Sequence, residues 1–394
     1  MEKLVLFGAG KIGRSFIGQL FSQSGFEVVF IDVFEPVITA LNRRKEYKVI
    51  IKSNREDETI LVKNVRGILS SDIVSVTNEI IDCTIVAISV GQAGMKDVIP
   101  LLAQGLLKRQ KIRGNIPLDI IIAENMRNAD AFIRNELFSL VGPDYPLDEL
   151  VGLVETSIGK MVPIMTREDQ EKDILQVFAE PYNTLILDKK AFKNPIPDVQ
   201  GLAPKENIKA WVDRKSYIHN FGHAAAAYYG YQTNPSAKYL YEALAFPEVA
   251  AFTKLAMQQS AFILMKKYPG EFTKNALDEH ITDLIQRFQN KALGDTIYRV
   301  GCDLTRKLHR NDRILSPAID GYFMQCPVDL ILKTFSYGLL FKGTDDMGNL
   351  FPGDQEFAED FKNKGLIHVL TNLCGLDADN DREIVHQIND YSCQ

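Results

Sequence analysis

The chain has 394 residues, more than a single hydrophobic core usually accommodates, so two domains flanking a cleft are expected. A formal net charge of -6 argues against a nucleic-acid or membrane-surface protein, which needs a dominant basic face, and leaves small molecules as the expected partners. The five cysteines (Cys83, Cys302, Cys326, Cys374 and Cys393) are odd in number and lack C-x-x-C pairing, which fits reduced thiols better than a disulfide framework or a zinc site.

Met1-Glu2-Lys3 leads straight into the apolar run Leu4-Val5-Leu6-Phe7. No signal-peptide core precedes that run, and no apolar stretch reaches the roughly 18 residues that span a bilayer, so a cytoplasmic protein is expected. The run enters Gly8-Ala9-Gly10-Lys11-Ile12-Gly13, a G-x-G-x-x-G, and then the helical pattern SFIGQLFSQSG. Gly8 permits a tight turn, Gly10 lets a pyrophosphate approach the backbone, and Gly13 allows close helix-strand packing. Lys11 and Ile12 complete the cofactor-binding turn. A second apolar run, residues 28–31, ends in Asp32, near the offset at which a carboxylate accepts hydrogen bonds from ribose hydroxyls. Because Asp32 repels a 2′-phosphate, NAD is expected over NADP.

Further strand-like runs follow at 60–65, 84–90 and 118–123, with a helical pattern over 92–107 in which Met95, Val98, Ile99, Leu102 and Leu106 share a face. Residues 150–155 and 182–187 read as two more strands, the latter after a helical stretch beginning at Arg167. Strands alternating with helices predict an α/β fold, a Rossmann-type doubly wound sheet. Chemistry in such a sheet gathers beyond the carboxyl ends of the strands. Gly91, after 84–90, lets a cofactor lie against backbone. Asn125, in Ala123-Glu124-Asn125-Met126-Arg127, is aimed at the nicotinamide end of the cleft, or else is a turn asparagine bonded to its own backbone.

The Pro- and Lys-rich segment 193–205 marks a change to long helical patterns such as 248–267 and 275–288. The boundary is drawn there, with 1–195 as an NAD-binding domain and 196–394 as a mostly α-helical substrate-binding and catalytic domain. Within the second, DRKSYIHNFGH carries Lys215, Asn220 and His223. At roughly 100° per residue these fall at about 0°, 140° and 80° on a helix, so all three can face one pocket suited to moving a proton and holding an oxygen. A lysine with an ordinary pKa of about 10.4 is a poor base at neutrality and must be buried or set near another positive charge. His219 and His223 make H-x-x-x-H, but with no intervening glutamate and no third ligand, so no metal is expected. Residues 299–313 gather Arg299, Arg306, Lys307, His309, Arg310 and Arg313, either a solvated face or the source of a phosphate or carboxylate clamp. Arg299 and Lys307 are the substrate-binding candidates, with Glu124 and Lys160 behind them. The acidic stretch 377–381 reads as a helix-entry loop.

The segments GAGKIGRSFIG, AENM and RKSYIHNFGHAAAAYYG, with RVG followed by RKL and NDR, resemble the mannitol-1-phosphate 5-dehydrogenases, polyol-specific long-chain dehydrogenases that work without zinc. The likeness runs from Lys3 to about Tyr391. By matching position it implies that Lys215 is the general acid/base, that Asn125 and Asn220 hold the substrate oxygen, and that His223 orients the site. It implies NAD-dependent interconversion of a phosphorylated polyol and a ketose phosphate, foremost mannitol 1-phosphate and fructose 6-phosphate. One departure stands out: where the family has V-D-R-I-V-P, this chain has Ile158-Gly159-Lys160-Met161-Val162-Pro163. The missing carboxylate alters local charge and keeps two relatives open, a hexuronate (fructuronate or tagaturonate) reductase and an unphosphorylated polyol dehydrogenase. A non-catalytic NAD-binding sensor is the remaining alternative, and monomer and dimer are both open.

Overall fold

The Val-, Ile- and Leu-rich runs of the first half become parallel strands buried on both faces, as a sheet covered by crossover helices requires. A computed structural model describes residues 2–377 and 379–392 and divides into two compact units, Met1–Val212 and Asp213–Gln394. The strands of the first unit are β1 (Lys3–Phe7), β2 (Glu27–Asp32), β3 (Glu46–Ile51), β4 (Glu58–Lys63), β5 (Val65–Leu69), β6 (Ile85–Ile88), β7 (Leu118–Ile122), β8 (Val151–Ser157), β9 (Val177–Ala179), β10 (Leu185–Asp188) and β11 (Leu202–Lys205). They form an eight-stranded sheet of order β11-β10-β8-β7-β6-β1-β2-β5 and a three-stranded sheet of order β4-β3-β9. From β8 to β5 the large sheet is parallel, and β10 runs antiparallel to β8.

Strand β1 pairs with β2 on one side and β6 on the other, Leu4 facing both Val28 and Ile85. The chain thus reverses its winding at β1, and the binding crevice of such a sheet lies beyond the loops that follow β1 and β6. Alternate residues feed opposite layers. Val5, Phe7, Val29 and Ile31 pack with Met95 and Leu102 of the helix Gly91–Arg113, whereas Leu4, Leu6, Val28 and Phe30 pack with Phe16, Ile17 and Leu20.

Two expectations are corrected. Residues 60–65 are not one strand: Asn64 takes a left-handed conformation at φ 57, and the chain leaves the small sheet at β4 to enter the large one at β5. The first unit also runs on to Val212 instead of ending at 195, because β11 within the proline-rich segment pairs with β10. Pro204 is tolerated there because β11 is an edge strand, where a missing N–H need not break a ladder.

The second unit is helical and built around Phe221–Thr233, whose alanines at 224–227 are fully buried. Small residues let the helix Pro247–Lys267 approach closely, and a Cβ added at Gly222 would lie 2.5 Å from the Met257 sulfur. Asp377 and Asp381 shape the entry to the helix Arg382–Ser392, the Asp377 N–H donating to the Asp381 carboxylate at 2.8 Å; Ala378 lies outside the described residues. Cys83, Cys302, Cys326 and Cys374 are free thiols, burial pushing Cys83 and Cys374 up to about 12, and Cys393 lies outside the described residues. Among the described residues no helix is long and apolar enough to cross a membrane.

Asp119 of β7 ties the proline-rich segment to the sheet. Its buried carboxylate accepts the Lys193 N–H at 2.8 Å, the Asn194 N–H at 3.1 Å and the Asn194 side-chain amide at 2.8 Å. Asp119→Ala leaves these donors without their acceptor and should cost about 3 kcal/mol in urea unfolding. A loss below about 0.5 kcal/mol, the range of a neutral surface change, would show that the anchor is dispensable.

Candidate active site

Each glycine of the first turn answers to a different constraint. Gly8 sits at φ 101, and a Cβ there would stand 2.1 Å from the Ser89 carbonyl oxygen, so glycine alone lets the loops after β1 and β6 touch. At Gly13 a Cβ would lie 2.1 Å from the Gly8 carbonyl oxygen. At Gly10 it would meet nothing within 4 Å. Space over Gly10 at the start of a helix fits a phosphate approaching bare backbone, with exposed Lys11 and half-buried Ile12 beside it. Arg14, whose role the sequence did not signal, pins this turn: its buried guanidinium donates to the carbonyls of Ala9 (2.7 Å), Ile174 (3.0 Å) and Leu175 (2.6 Å).

Asp32 ends β2 with one carboxylate oxygen accepting from the Ala9 N–H at 2.6 Å and the other from the Phe34 N–H at 2.9 Å. Each oxygen keeps lone-pair capacity for a ribose hydroxyl. A cavity of about 680 Å³ adjoins it, lined by Gly8, Gly10, Asp32, Ile73, Val90 and Leu101 among others. Its apolar walls suit an adenine ring, and the residues present therefore fit a dinucleotide.

Beyond β6, Gly91 opens its helix at φ 76. Glu124, nearly fully buried, holds that start in place, one oxygen accepting from the Val90 N–H at 2.7 Å and the Gly91 N–H at 2.8 Å. Burial pushes the Glu124 carboxyl above the usual range, and the two N–H groups oppose this. Asn125 follows on an exposed bend after β7. The parallel pairing of β6 with β7 thus places Gly91 and Asn125 at neighbouring strand ends. Glu155 of β8 was missed in the sequence because it sits inside an apolar run. Burial first and then Asp130 push it up to about 7, and it accepts the Asn128 N–H at 3.0 Å. Lys160 is buried, donates to the Asn183 side-chain oxygen at 2.8 Å and lies 5.1 Å from the Phe16 ring centre; a Cβ on Gly159 would be 3.6 Å from the Tyr182 ring.

In the second unit, Lys215–Asn220 is a π-helical turn, with the Phe221 N–H bonded to the Ser216 carbonyl five residues back. The regular-helix projection is therefore corrected. An i to i+5 turn brings position 220 nearer to position 215 around the axis than a regular helix does. Burial, then the Arg313 charge, lower the Lys215 amine to about 8, with Asp312 opposing. The residue as a whole is half-buried. Burial and then Arg299 and Arg313 keep the His223 imidazole neutral; it stacks on Phe288 with ring centres 3.9 Å apart, and His219 meets it edge-on at 5.3 Å. Among the described residues no group of three or more His, Cys, Asp and Glu side chains could hold a metal ion.

Much of the basic run is neutralised internally. Arg299 pairs with Asp295, Arg306 with Asp303, Arg310 with Asp381 at 2.8 Å and Arg313 with Asp312 at 2.7 Å. Arg299 is exposed, whereas Lys307 is buried and donates to the Val300 carbonyl at 2.6 Å. Burial first, then Arg313, lower Lys307 to about 8.

Residues 2–201 match the mannitol dehydrogenase Rossmann domain and residues 207–371 the mannitol dehydrogenase C-terminal domain. The chain belongs to the mannitol dehydrogenase family. A curated relative, the mannitol-1-phosphate 5-dehydrogenase of Buchnera aphidicola subsp. Acyrthosiphon pisum (strain APS), is 28% identical over 392 residues, covering 99% of this chain and 98% of its own. Mannitol 2-dehydrogenase of Pseudomonas fluorescens, solved as a ternary complex with NAD and D-mannitol, superposes with a TM-score of 0.77 at 14% identity, over 100% of this chain and 91% of that one. A D-sorbitol dehydrogenase in substrate-free form gives 0.80 at 15% identity, over 99% and 92%. These two structures share the mannitol dehydrogenase fold with this chain, a Rossmann-type unit followed by a helical one.

For this mannitol dehydrogenase family member, ¹³C reductive methylation with NMR titration should resolve two lysines, Lys215 and Lys307, with midpoints near 8, and Arg313→Gln should raise both. Midpoints near the ordinary lysine value of about 10.4 would refute the proposed environment.

Proposed function

We propose that the chain is an NAD-dependent, zinc-independent oxidoreductase interconverting mannitol 1-phosphate and fructose 6-phosphate, with the first unit binding NAD and the second supplying the acid/base and substrate contacts. The observation that carries this is a lysine lowered to about 8 on a π-turn that it shares with Asn220, in a chain so similar in length and sequence to a mannitol-1-phosphate 5-dehydrogenase. Gly8, Gly10, Lys11, Ile12, Gly13, Asp32 and Gly91 would hold the dinucleotide. When bound, NAD accepts or returns the hydride. The neutral Lys215 amine takes the hydroxyl proton during alcohol oxidation, and its ammonium form returns a proton to the oxygen during ketone reduction. The family resemblance assigns Asn125 and Asn220 to holding that oxygen, and loss of one such amide donor typically costs about 2.7 to 4 kcal/mol. His223 orients the substrate, and Arg299 and Lys307 supply positive charge for its phosphate. A cytoplasmic location accords with phosphorylated substrates of this kind.

The Gly159-Lys160 departure favours testing hexuronates and free polyols alongside. In a panel of fructose 6-phosphate, fructose, fructuronate and tagaturonate, fructose 6-phosphate should drive NADH oxidation best; a better hexuronate or free ketose would reassign the substrate, and no turnover at all would favour a sensor. Lys215→Ala should lower kcat by about 100-fold or more with NADH still bound. In the wild type, oxidation should rise with pH through about 8 as the amine loses its proton, and reduction should fall over the same interval. Near-normal turnover in Lys215→Ala would refute its role.

Asp32→Ala should weaken NADH binding more than NADPH binding, because only the former loses a ribose acceptor while the latter is relieved of charge repulsion. Equal losses in fluorescence titrations would show that Asp32 does not read the ribose.

A further inference from the structure

His223 Nε2 and Asp295 Oδ2 are both buried, both lack a hydrogen-bond partner, and stand 3.7 Å apart. Asp295 is only 4% exposed, and its other oxygen accepts from the Arg299 guanidinium. Its backbone is fixed as well: the Leu240 N–H donates to the Asp295 carbonyl at 2.9 Å, and Tyr239 and Thr296 form an antiparallel bridge beside it. The His223 ring is held flat against Phe288. A neutral imidazole has one N–H and one lone pair, and a lone pair facing a carboxylate oxygen would be repelled, so the nitrogen nearer Asp295 is the one that carries hydrogen.

We propose that Asp295 is a positioning residue that fixes the His223 tautomer, with the proton on Nε2 and the lone pair on Nδ1. This rests on the role given to His223 in the proposed oxidoreductase. It makes His223 a hydrogen-bond acceptor at Nδ1, suited to a hydroxyl of the polyol adjacent to the reacting carbon, and leaves donation to the reacting oxygen to Lys215 and the asparagine amides. Arg299 then has a second duty, holding the Asp295 carboxylate in the orientation that His223 reads.

Asp295→Asn separates this role from mere packing. Arg299 should retain the amide oxygen, which turns the NH₂ group toward His223 and demands the opposite tautomer. In the full-length protein labelled with ¹⁵N at histidine, and with the His223 signals assigned from their loss in His223→Gln, the wild type should show the Nε2–H form and Asp295→Asn the Nδ1–H form. Asp295→Asn should also lower kcat by about 100-fold with KM changed less than about threefold, and Asp295→Glu should recover part of the loss. A wild-type His223 in the Nδ1–H form, or a tautomer unmoved by Asp295→Asn, overturns the proposal. The spectrum is read without substrate, so failure of every substrate in the panel would sink the functional reading while leaving the tautomer result to decide this one.

Discussion

Withdrawal of the Lys215 amine from water is the interaction on which the proposed chemistry depends. Burial penalises the ammonium form, Arg313 adds a like charge, and Asp312 opposes both. A lysine at its ordinary value of about 10.4 would stay protonated near neutrality and could return a proton but not accept one. Held at about 8, Lys215 presents both forms near neutrality, which a reversible alcohol-ketone interconversion needs. The same fixed cation, Arg313, also acts on Lys307 and His223, adding to burial, the larger cause in each case.

The π-turn converts that chemistry into geometry. On a regular helix Lys215 and Asn220 lie about 140° apart around the axis, and a turn with an i to i+5 hydrogen bond, here Phe221 N–H to the Ser216 carbonyl, narrows that angle. Such a bulge requires packing that prevents the chain from relaxing to α-helix. Tyr217, two residues into the turn, is wholly buried and donates to the Asp320 carboxylate, while Lys267 bridges Asp320 at 2.7 Å and Asp213 at 2.8 Å. Asp213 lies two residues before Lys215, so this network brackets the bulge from within its own segment.

Much of the architecture was legible because local pattern and tertiary environment agree. The buried runs at β1, β2, β6 and β7 are apolar enough to read as parallel strands, and G-x-G-x-x-G followed by Asp32 specifies the crevice before any coordinates are seen. Strand β3 was not legible because Glu46 and Lys48 break its apolar character, nor was β9, which has only three residues, nor β11, which contains a proline. In the site, the spacing of Lys215, Asn220 and His223 stood out, but the π-turn that holds the first two did not, since hydrophobic period does not encode it. Arg14, Glu155 and Asp295 gave no signal for a simpler reason. A lone charged residue in mixed sequence takes its meaning from burial and from which backbone N–H or carbonyl it meets.

The basic run shows the converse, a strong sequence signal that the fold largely absorbs. Four of its arginines face carboxylates from their own unit, and the Lys307 amine already donates to a carbonyl. Anion recognition here has to come from the donors left over, since a guanidinium bound through Nε to one carboxylate, as Arg313 is to Asp312, still has N–H groups at its far end. A phosphate bound among these groups would do more than add affinity. By partly cancelling the Arg313 charge it would raise the pKa of Lys215, strengthening the ammonium form that ketone reduction uses. A neutral polyol would leave the lysine near 8. In the proposed reaction, the charge at the remote end of a phosphorylated substrate is thereby coupled through Arg313 to the proton on Lys215.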